Sequence, residues 1–528
     1  MREGKISLAR QRSDFCITHD ISIEGRKGCS RMNISYKWLA AMVLILGNLM
    51  SSLDQTIVNI AIPQLQRAFG ADVQSVQWVV TSYLLAQGAL IALTPYLSQR
   101  LGSKRTYLLT LGAFTIGSAL CGLAGTLPLL IFFRILQGLG GAILLPLAFA
   151  LILTIFPSEE RGVATAISGI PFLVLPALGP IVGGYLLAMA SWRIIFFLNV
   201  PIGLLAIILG AIILHETRTM EQVSFDLPGF LTSVYGLAAI LYAFAQASTL
   251  GWNSFPVMIF LVSGGAALAL FVGLELRTVR RGRRPLMDVR LFADRTFAAG
   301  SIAVLFAIAS LFSLLFLLPI YLQTLRGLSA LEAAFFLLPQ ALATIISTLV
   351  GGRLVDRLGD ARVVIVPGFV LLLLGAFLLT RLTLLTPYWQ FDLVLFVVGL
   401  AFGMIQQPLR VAAMTHIHGA QPVTNGSTLL TVSRAVAASL GLAVLATLVQ
   451  TQTQIHRSQL AADPSQSLPG VLLQKQAFLL AMHDVFFIIA GLAMLGLLAT
   501  ALLQKKPPRA GEEAPLSATR SEGEISAN

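Results

Sequence analysis

The chain has 528 residues, of which 56% are hydrophobic and only 11% are charged. Because a soluble domain is roughly a quarter charged, this composition excludes an ordinary water-soluble protein. The formal net charge of +12 does not indicate nucleic-acid binding either, because the basic residues form no stripe with interleaved aromatic side chains.

Runs of about twenty apolar residues, each long enough to cross a bilayer, recur between Trp38 and Leu503. In lipid these runs must be helical, because an unpaired backbone group is costly there. We therefore predict an all-α membrane protein with fourteen transmembrane helices. The predicted helices begin near Trp38, Trp78, Thr106, Leu129, Val163, Ile194, Pro228, Pro256, Phe297, Leu331, Val363, Trp389, Asn425 and Phe478.

The polar tails and loops predict how the chain is oriented. Residues 1–35 form one tail, in which Met32 is an alternative start to Met1, and residues 505–528 form a second tail that is expected to be disordered. Arginine and lysine are concentrated in one alternate set of loops, above all between residues 277 and 295. By the positive-inside rule, these loops and both termini are predicted to be cytoplasmic.

An internal repeat divides the predicted helices into two halves. Residues 95–102 (PYLSQRLG) follow the second helix, and residues 352–359 (GRLVDRLG) follow the tenth, each at an inner position. Two such loops predict a duplicated six-helix bundle, and transporters with parallel repeats bind their substrate between the halves. The predicted regions are an N-terminal bundle over 36–217, two additional helices with a basic loop over 218–295, and a C-terminal bundle over 296–504.

Two charged residues lie well inside apolar helices, where a charge costs at least ~2.5–3.5 kcal/mol at the bilayer centre. Asp54 is about sixteen residues into the first helix, and Arg134 is about five residues into the fourth, which runs the opposite way. Both are therefore expected at similar depth in the outer half of the membrane. Asp54 is the predicted proton acceptor and Arg134 its charge partner. A static ion pair, or two separately hydrated groups, is the structural alternative.

Other polar residues are weaker candidates. Glu332, Asp392 and Arg410 lie near helix ends, where they can face water. A second set can either line a substrate path or bond across helices as a structural element. That set consists of Asn59, Gln87, Gln137, Gln340, Gln406 and Arg434. In the fifth helix, a proline among glycines predicts a bent and tightly packed segment, formed by Gly179, Pro180, Gly183 and Gly184.

Four stretches of the sequence resemble motifs of the major facilitator superfamily, and specifically of its fourteen-helix drug:proton antiporters of the EmrB/QacA type. Residues 53–63 and 192–203 resemble elements of that group, and residues 134–141 resemble the fourth-helix motif whose arginine is assigned to proton transfer. Residues 179–184 resemble the antiporter motif, which is associated with export. The resemblance covers roughly residues 38–504 and implies the major facilitator fold, with two six-helix bundles rocking around a central cavity.

The resemblance also implies a conformational latch, in which an acid of the inner loop grips nearby arginines. The second copy of the loop keeps this acid at Asp356, whereas the first copy has Gln99, which puts the latch of the first half in doubt. The predicted latch residues are Arg100, Gly102, Gly352, Asp356, Arg357, Gly359 and Arg362.

The function implied by the resemblance is proton-coupled multidrug efflux by alternating access across a bacterial inner membrane. No acid lies mid-helix in the second half, which favours monocationic, zwitterionic or neutral amphiphiles over dications. The alternatives are a dedicated exporter of a metabolite, siderophore, antibiotic or lipid, and a non-transporting sensor or binding scaffold. A periplasmic adaptor is a possible partner in a Gram-negative cell.

An enzyme is not expected, because the sequence contains no HExxH or GxSxG motif. Its three cysteines match neither a metal site nor a disulfide framework, and no GxxxxGK[ST] loop is present. We therefore expect no cofactor and no metal, with the proton gradient as the energy source.

Overall fold

The computed structural model describes residues 36–503 except 72, 190, 217–224, 284, 329, 418 and 463–468. The predicted tails, 1–35 and 505–528, lie outside the described residues. All regular structure in the described residues is helical. The helices are α1 (Tyr36–Phe69), α2 (Val73–Leu90), α3 (Thr94–Leu101), α4 (Ser103–Leu123), α5 (Leu127–Ile155), α6 (Arg161–Met189), α7 (Arg193–Phe197), α8 (Asn199–Ile213), α9 (Leu227–Leu250), α10 (Phe255–Arg280), α11 (Arg295–Ile320), α12 (Ala330–Phe336), α13 (Leu338–Leu358), α14 (Arg362–Leu379), α15 (Tyr388–Ala413), α16 (Ala420–Ala462) and α17 (Gly470–Ala501).

In the described part of the chain, these helices group into fourteen consecutive helical segments. Thirteen of them are long and apolar enough to cross a membrane. The remaining one is α6, whose 29 residues occupy the position of the fifth predicted helix. Short helices are joined end to end within a segment, as α2 and α3 are through a 3-10 turn at Ile91–Leu93. The prediction of an all-α membrane protein is confirmed, and the predicted number of fourteen helices is compatible with the structure.

Burial differs strongly between segments. In α5, 78% of the most apolar stretch is buried inside the protein, whereas in α10 only 17% is buried. Because both stretches are apolar, the exposed face of α10 is suited to lipid and α5 to the protein interior. Buried apolar side chains form clusters within residues 40–214 and a larger cluster built mainly from residues 286–503.

The hairpin of α9 and α10 follows the first six segments and packs through α9 against both halves. Trp78 of α2 stacks on Tyr242 of α9, with ring centroids 6.1 Å apart. On the other side, Trp252 Nε1 at the end of α9 donates to Thr447 Oγ1 of α16 at 3.0 Å. The hairpin therefore contacts the first half through an aromatic face, and the second half through a hydrogen bond and through apolar side chains of α16.

Candidate proton-coupling site

Asp54 and Arg134 form an ion pair in the interior of the first half. Arg134 Nη1 of α5 lies 2.6 Å from Asp54 Oδ2 of α1, and both residues are 0% exposed. Opposite charges at this distance offset part of each other's desolvation cost, and removal of either one would leave the other buried without a counter-charge. The two residues that the sequence placed at similar depth are therefore in direct contact.

Two amide side chains complete the surroundings of the Asp54 carboxylate. Gln137 Nε2 donates to Asp54 Oδ1 at 3.0 Å, and Asn199 Nδ2 of α8 donates to the same oxygen at 3.2 Å. The Oε1 atom of Gln137 in turn accepts from Arg134 Nη1 at 2.7 Å. Both carboxylate oxygens of Asp54 thus accept hydrogen bonds from neighbouring side chains.

The guanidinium of Arg134 is fixed on its other sides. Its Nε donates to the carbonyl oxygen of Val79 at 3.0 Å. Its carbon lies 4.2 Å from the ring centroid of Tyr83 and 5.7 Å from that of Phe196. The hydrogen bonds and the aromatic faces partly replace the water that a buried cation loses.

Glycines in α5 allow the close helix packing that brings these groups together. A Cβ atom at Gly140 would lie 2.5 Å from the backbone nitrogen of Phe114 in α4. A Cβ atom at Gly138 would lie 2.9 Å from the carbonyl oxygen of Tyr83 in α2. Any larger residue would push α5 away from both neighbours, so these glycines set the position of Arg134.

Among the described residues, the polar side chains predicted for a substrate path lie in separate hydrogen-bonded groups. Gln137 belongs to the ion pair, whereas Gln87 bonds within the first half, donating from Nε2 to the carbonyl oxygen of Gly141 at 3.2 Å. In the second half, Gln406 Oε1 accepts from Arg434 Nη1 at 3.4 Å, and Gln340 is buried in α13. The side chain of Asn59 lies outside the described part of the structure.

The fifth segment packs closely against the first. A Cβ atom at Gly179 would lie 2.4 Å from Thr56 Oγ1 of α1, two residues beyond Asp54. Gly183 is buried as well, whereas the surroundings of Pro180 and Gly184 lie outside the described part of the structure. The close approach predicted for this segment is thus present at Gly179.

The second copy of the inner-loop motif contacts the opposite half. Asp356 Oδ1 accepts from the backbone nitrogen of Gly162, and Oδ2 accepts from that of Val163, both at 2.8 Å. A Cβ atom at Gly352 would lie 2.6 Å from the carbonyl oxygen of Gly162. The acid of α13 therefore caps the first turn of α6, where helix N–H groups lack intrahelical partners. The inner-loop motif indicated arginines as the partners of Asp356, and it gave no sign of this contact with the start of α6.

The other predicted latch residues of the second copy have different surroundings. Arg357 is exposed, and Gly359 ends α13 with a φ of +69°, a conformation that favours glycine. The backbone nitrogen of Arg362 donates to Asp360 Oδ1 at 3.0 Å within the same loop.

In the first copy of the motif, Arg100 and Gly102 contact groups of their own half. Arg100 Nη1 donates to the hydroxyl of Tyr96, four residues earlier. At the positive-φ residue Gly102, the chain passes the carboxylate of Glu216, which accepts from the backbone nitrogens of Lys104 and Arg105 at 3.1 and 3.3 Å. Glu216 therefore caps α4, and no local sequence pattern had indicated this role.

The residues near helix ends differ from one another. Glu332 is exposed, as expected for a group that faces water. Asp392 is only partly exposed, and its Oδ1 atom is buried without a hydrogen-bond partner among the described residues. Arg410 is only 4% exposed, so the expectation that it faces water is wrong. The helix containing it packs against the first half at this end, and Arg410 lies over the ring of Phe149 of α5, with 3.8 Å to the centroid.

Comparison with known proteins gives consistent results. A family model described as Major Facilitator Superfamily matches residues 44–442. YhcA of Bacillus subtilis, named an uncharacterized MFS-type transporter, is 32% identical over 431 residues, covering 82% of this chain and 80% of that protein. The Multidrug resistance protein B homolog of Mycobacterium tuberculosis is 34% identical over 421 residues, covering 78% of this chain and 76% of that protein. The solved proton:xylose symporter XylE shares the fold, with a TM-score of 0.57, 17% identity, and coverage of 89% of this chain and 99% of that one.

Proposed function

The chain belongs to the major facilitator superfamily, and from that premise we propose that it exports lipophilic small molecules in exchange for protons. Similarity to a protein named for multidrug resistance supports drug-like cargo. The resemblance of residues 179–184 to the antiporter motif supports export rather than uptake. The setting we propose is a bacterial inner membrane with both termini in the cytoplasm.

The observation that carries the proposal is the buried ion pair of Asp54 and Arg134. With both groups 0% exposed, a proton that binds Asp54 must compete with the guanidinium at 2.6 Å. Protonation removes the negative charge and leaves Arg134 without its counter-ion, which raises the free energy of this arrangement of helices. A proton arriving from outside thus shifts the balance between two arrangements of the halves.

The contact between Asp356 and the start of α6 supplies an element that can open and close. Its two hydrogen bonds join α13 of the second half to α6 of the first. We propose that they form in the arrangement closed to the cytoplasm and break when the halves separate there. The same segment, α6, packs on α1 near Asp54 through Gly179, so a shift of α6 would be felt at both places.

Transport in inverted membrane vesicles tests the assignment. We expect an imposed proton gradient to drive accumulation of lipophilic dyes by the wild type. Asp54→Asn keeps the size of the side chain but cannot exchange a proton, so gradient-driven accumulation should fall to the level of empty vesicles. The variant should insert in normal amounts.

Asp392→Asn is the matched control, because it removes the same charge from a partly exposed acid of α15. It should transport as the wild type does. Full gradient-driven accumulation by Asp54→Asn would refute the role of Asp54. Absence of any flux by the wild type, across dyes and candidate metabolites, would instead favour the non-transporting scaffold.

A further inference from the structure

A second group of buried positive charges lies in the second half, without the acid that the first half provides. Arg410 of α15 is 4% exposed, and its Nε and Nη2 atoms have no hydrogen-bond partner among the described residues. Arg434 of α16 is partly buried and donates to the neutral Gln406 Oε1 at 3.4 Å. No carboxylate in the described part of the chain forms an ion pair with either arginine.

Arg434 reaches the same face of α15 as Arg410, because it donates to Gln406, which lies four residues before Arg410 and is therefore its neighbour on the helix surface. Burial of a cation without a counter-charge is unfavourable, and a second cation nearby adds to that cost. The ring of Phe149 under Arg410 compensates only part of it, because a cation–π contact is weaker than a paired charge. An anion placed between the arginines would offset that cost and satisfy the unmet hydrogen bonds.

Arg410 faces a small cavity between the two halves. Asn48 of α1, Phe149 of α5 and Ser168 of α6 line it from the first half, and Gln407 lines it together with Arg410 from the second. The Oδ1 atom of Asn48 is buried and also lacks a hydrogen-bond partner. In this arrangement the cavity has room for about one water molecule, so a larger ligand would require the halves to move apart.

The position of the cavity matches a place where the cargo must pass. Its walls come from α1, α5 and α6 of one half and from α15 of the other. The hydrogen bonds between Asp356 and α6 join the halves nearby, because they involve Gly162, six residues before Ser168. Separation of the halves at this end would therefore uncover Arg410. The planar fork of a guanidinium matches the two oxygens of a carboxylate.

We propose that Arg410 and Arg434 bind an anionic group, such as a carboxylate, of the exported molecule; this inference rests on the proposed function. The cargo is then a zwitterionic or anionic amphiphile rather than a simple lipophilic cation. Its charged group sits between the arginines and its apolar body contacts the surrounding Phe and Leu side chains. The protein supplies the cation, and the cargo supplies the counter-charge.

Binding of two matched dyes to the purified full-length protein tests the proposal. Rhodamine 110 carries a free carboxylate, and rhodamine 123 is its methyl ester, so the pair differs at the group in question. We expect the wild type to bind the carboxylate dye more tightly, as measured by fluorescence anisotropy. Arg410→Gln should weaken its binding roughly tenfold to a hundredfold, the range for a hydrogen bond to a charged group, and leave the ester nearly unchanged.

Arg381→Gln is the matched control, because Arg381 also lies over an aromatic ring, that of Phe377, but is exposed. It should keep the preference for the carboxylate. Arg410→Lys should keep part of it, because a point charge remains. Loss of folding is not expected to obscure the result: Arg410→Gln removes an unpaired buried charge, and its thermal midpoint without dye should equal or exceed that of the wild type.

Equal binding of the two dyes by the wild type, binding of neither, or a preference that survives both Arg410→Gln and Arg434→Gln would overturn the proposal. This assay uses no proton gradient, so its outcome is separate from the vesicle experiment. Gradient-driven flux with no carboxylate preference would support the proposed export function and refute the anion site. A carboxylate preference without flux would support the anion site and refute the proposed export function.

Discussion

The two halves of the molecule place arginine in their interiors in opposite ways. In the first half, Arg134 is matched by Asp54 at 2.6 Å and held by two further acceptors. In the second half, Arg410 is nearly as well buried but has two nitrogens without hydrogen-bond partners among the described residues. We interpret this difference as a division of two tasks between the halves. One buried cation has its counter-charge within the protein, and the other is suited to a counter-charge that arrives from outside.

The largest effect should come from truncation of Arg134, with truncation of Arg410 as the comparison. Arg134→Ala leaves Asp54 buried without a counter-ion and is expected to lower the free energy of unfolding by about 3–5 kcal/mol. Arg410→Ala removes the same atoms but no ion pair, so it should cost far less or stabilise the protein. Chemical denaturation of the purified proteins in detergent, followed by tryptophan fluorescence, measures both.

The double variant Asp54→Asn/Arg134→Ala sharpens this test. Because it leaves no charge behind, it should recover much of the lost stability while gradient-driven transport stays absent. A loss at Arg410→Ala as large as at Arg134→Ala would show that the two arginines are equally paired, and the contrast between the halves would be wrong.

An intermediate effect is expected at Asp356, in the second copy of the inner-loop motif. Asp356→Asn weakens two charge-assisted bonds to the start of α6, each of the kind worth about 1.5–3 kcal/mol. The closed arrangement should therefore be less populated. A cysteine introduced at Ser168, which lines the cavity between the halves, should react with a water-soluble maleimide at least roughly tenfold faster in this background.

Asp360→Asn serves as the control, since that acid accepts from the backbone of Arg362 in its own loop. The labelling rate at Ser168 should not change there. An unchanged rate with Asp356→Asn would mean that the cross-half contact does not hold the halves together.

The smallest effect is expected at a glycine of the fifth segment. In Gly179→Ala the new Cβ would lie 2.4 Å from Thr56 Oγ1, so α6 must move away from α1 at a cost of about 1–3 kcal/mol. Gly265→Ala in α10 meets nothing within 4 Å and should be neutral or stabilising by up to about 1 kcal/mol. Thermal unfolding compares the two, and equal midpoints would refute the close packing at Gly179.

The sequence predicted the ion pair because helix direction and rise alone determine the depth of a residue in a bilayer. Asp54 and Arg134 could thus be matched across 80 residues without knowledge of packing. The contacts of their amide neighbours could not be predicted from depth alone. Gln137 was known as a polar residue within the fourth-helix motif, and Asn199 as part of the motif over residues 192–203. Neither was assigned to the ion pair, because the direction of a side chain depends on the rotation of its helix.

The contacts that sequence analysis missed are long-range caps and a buried charge. Glu216 caps a helix that begins 113 residues earlier, and Asp356 caps one that begins 195 residues earlier, at Ser103 and Arg161 respectively. No local pattern links such partners. Arg410 was expected in water because it lies three residues from the end of α15, but that end is covered by α5 of the other half. Proximity to a helix end gives depth in the membrane and not exposure.

The contacts of α9 have a consequence for the motion of the whole molecule. Stacked rings such as Trp78 and Tyr242 tolerate lateral offset, whereas the bond from Trp252 to Thr447 is lost once its atoms separate by much more than 3.0 Å. We therefore expect the hairpin to travel with the second half and to slide along the first. On that expectation, the hairpin covers the same flank of the protein throughout the cycle, and molecules dissolved in the bilayer would enter from the opposite flank.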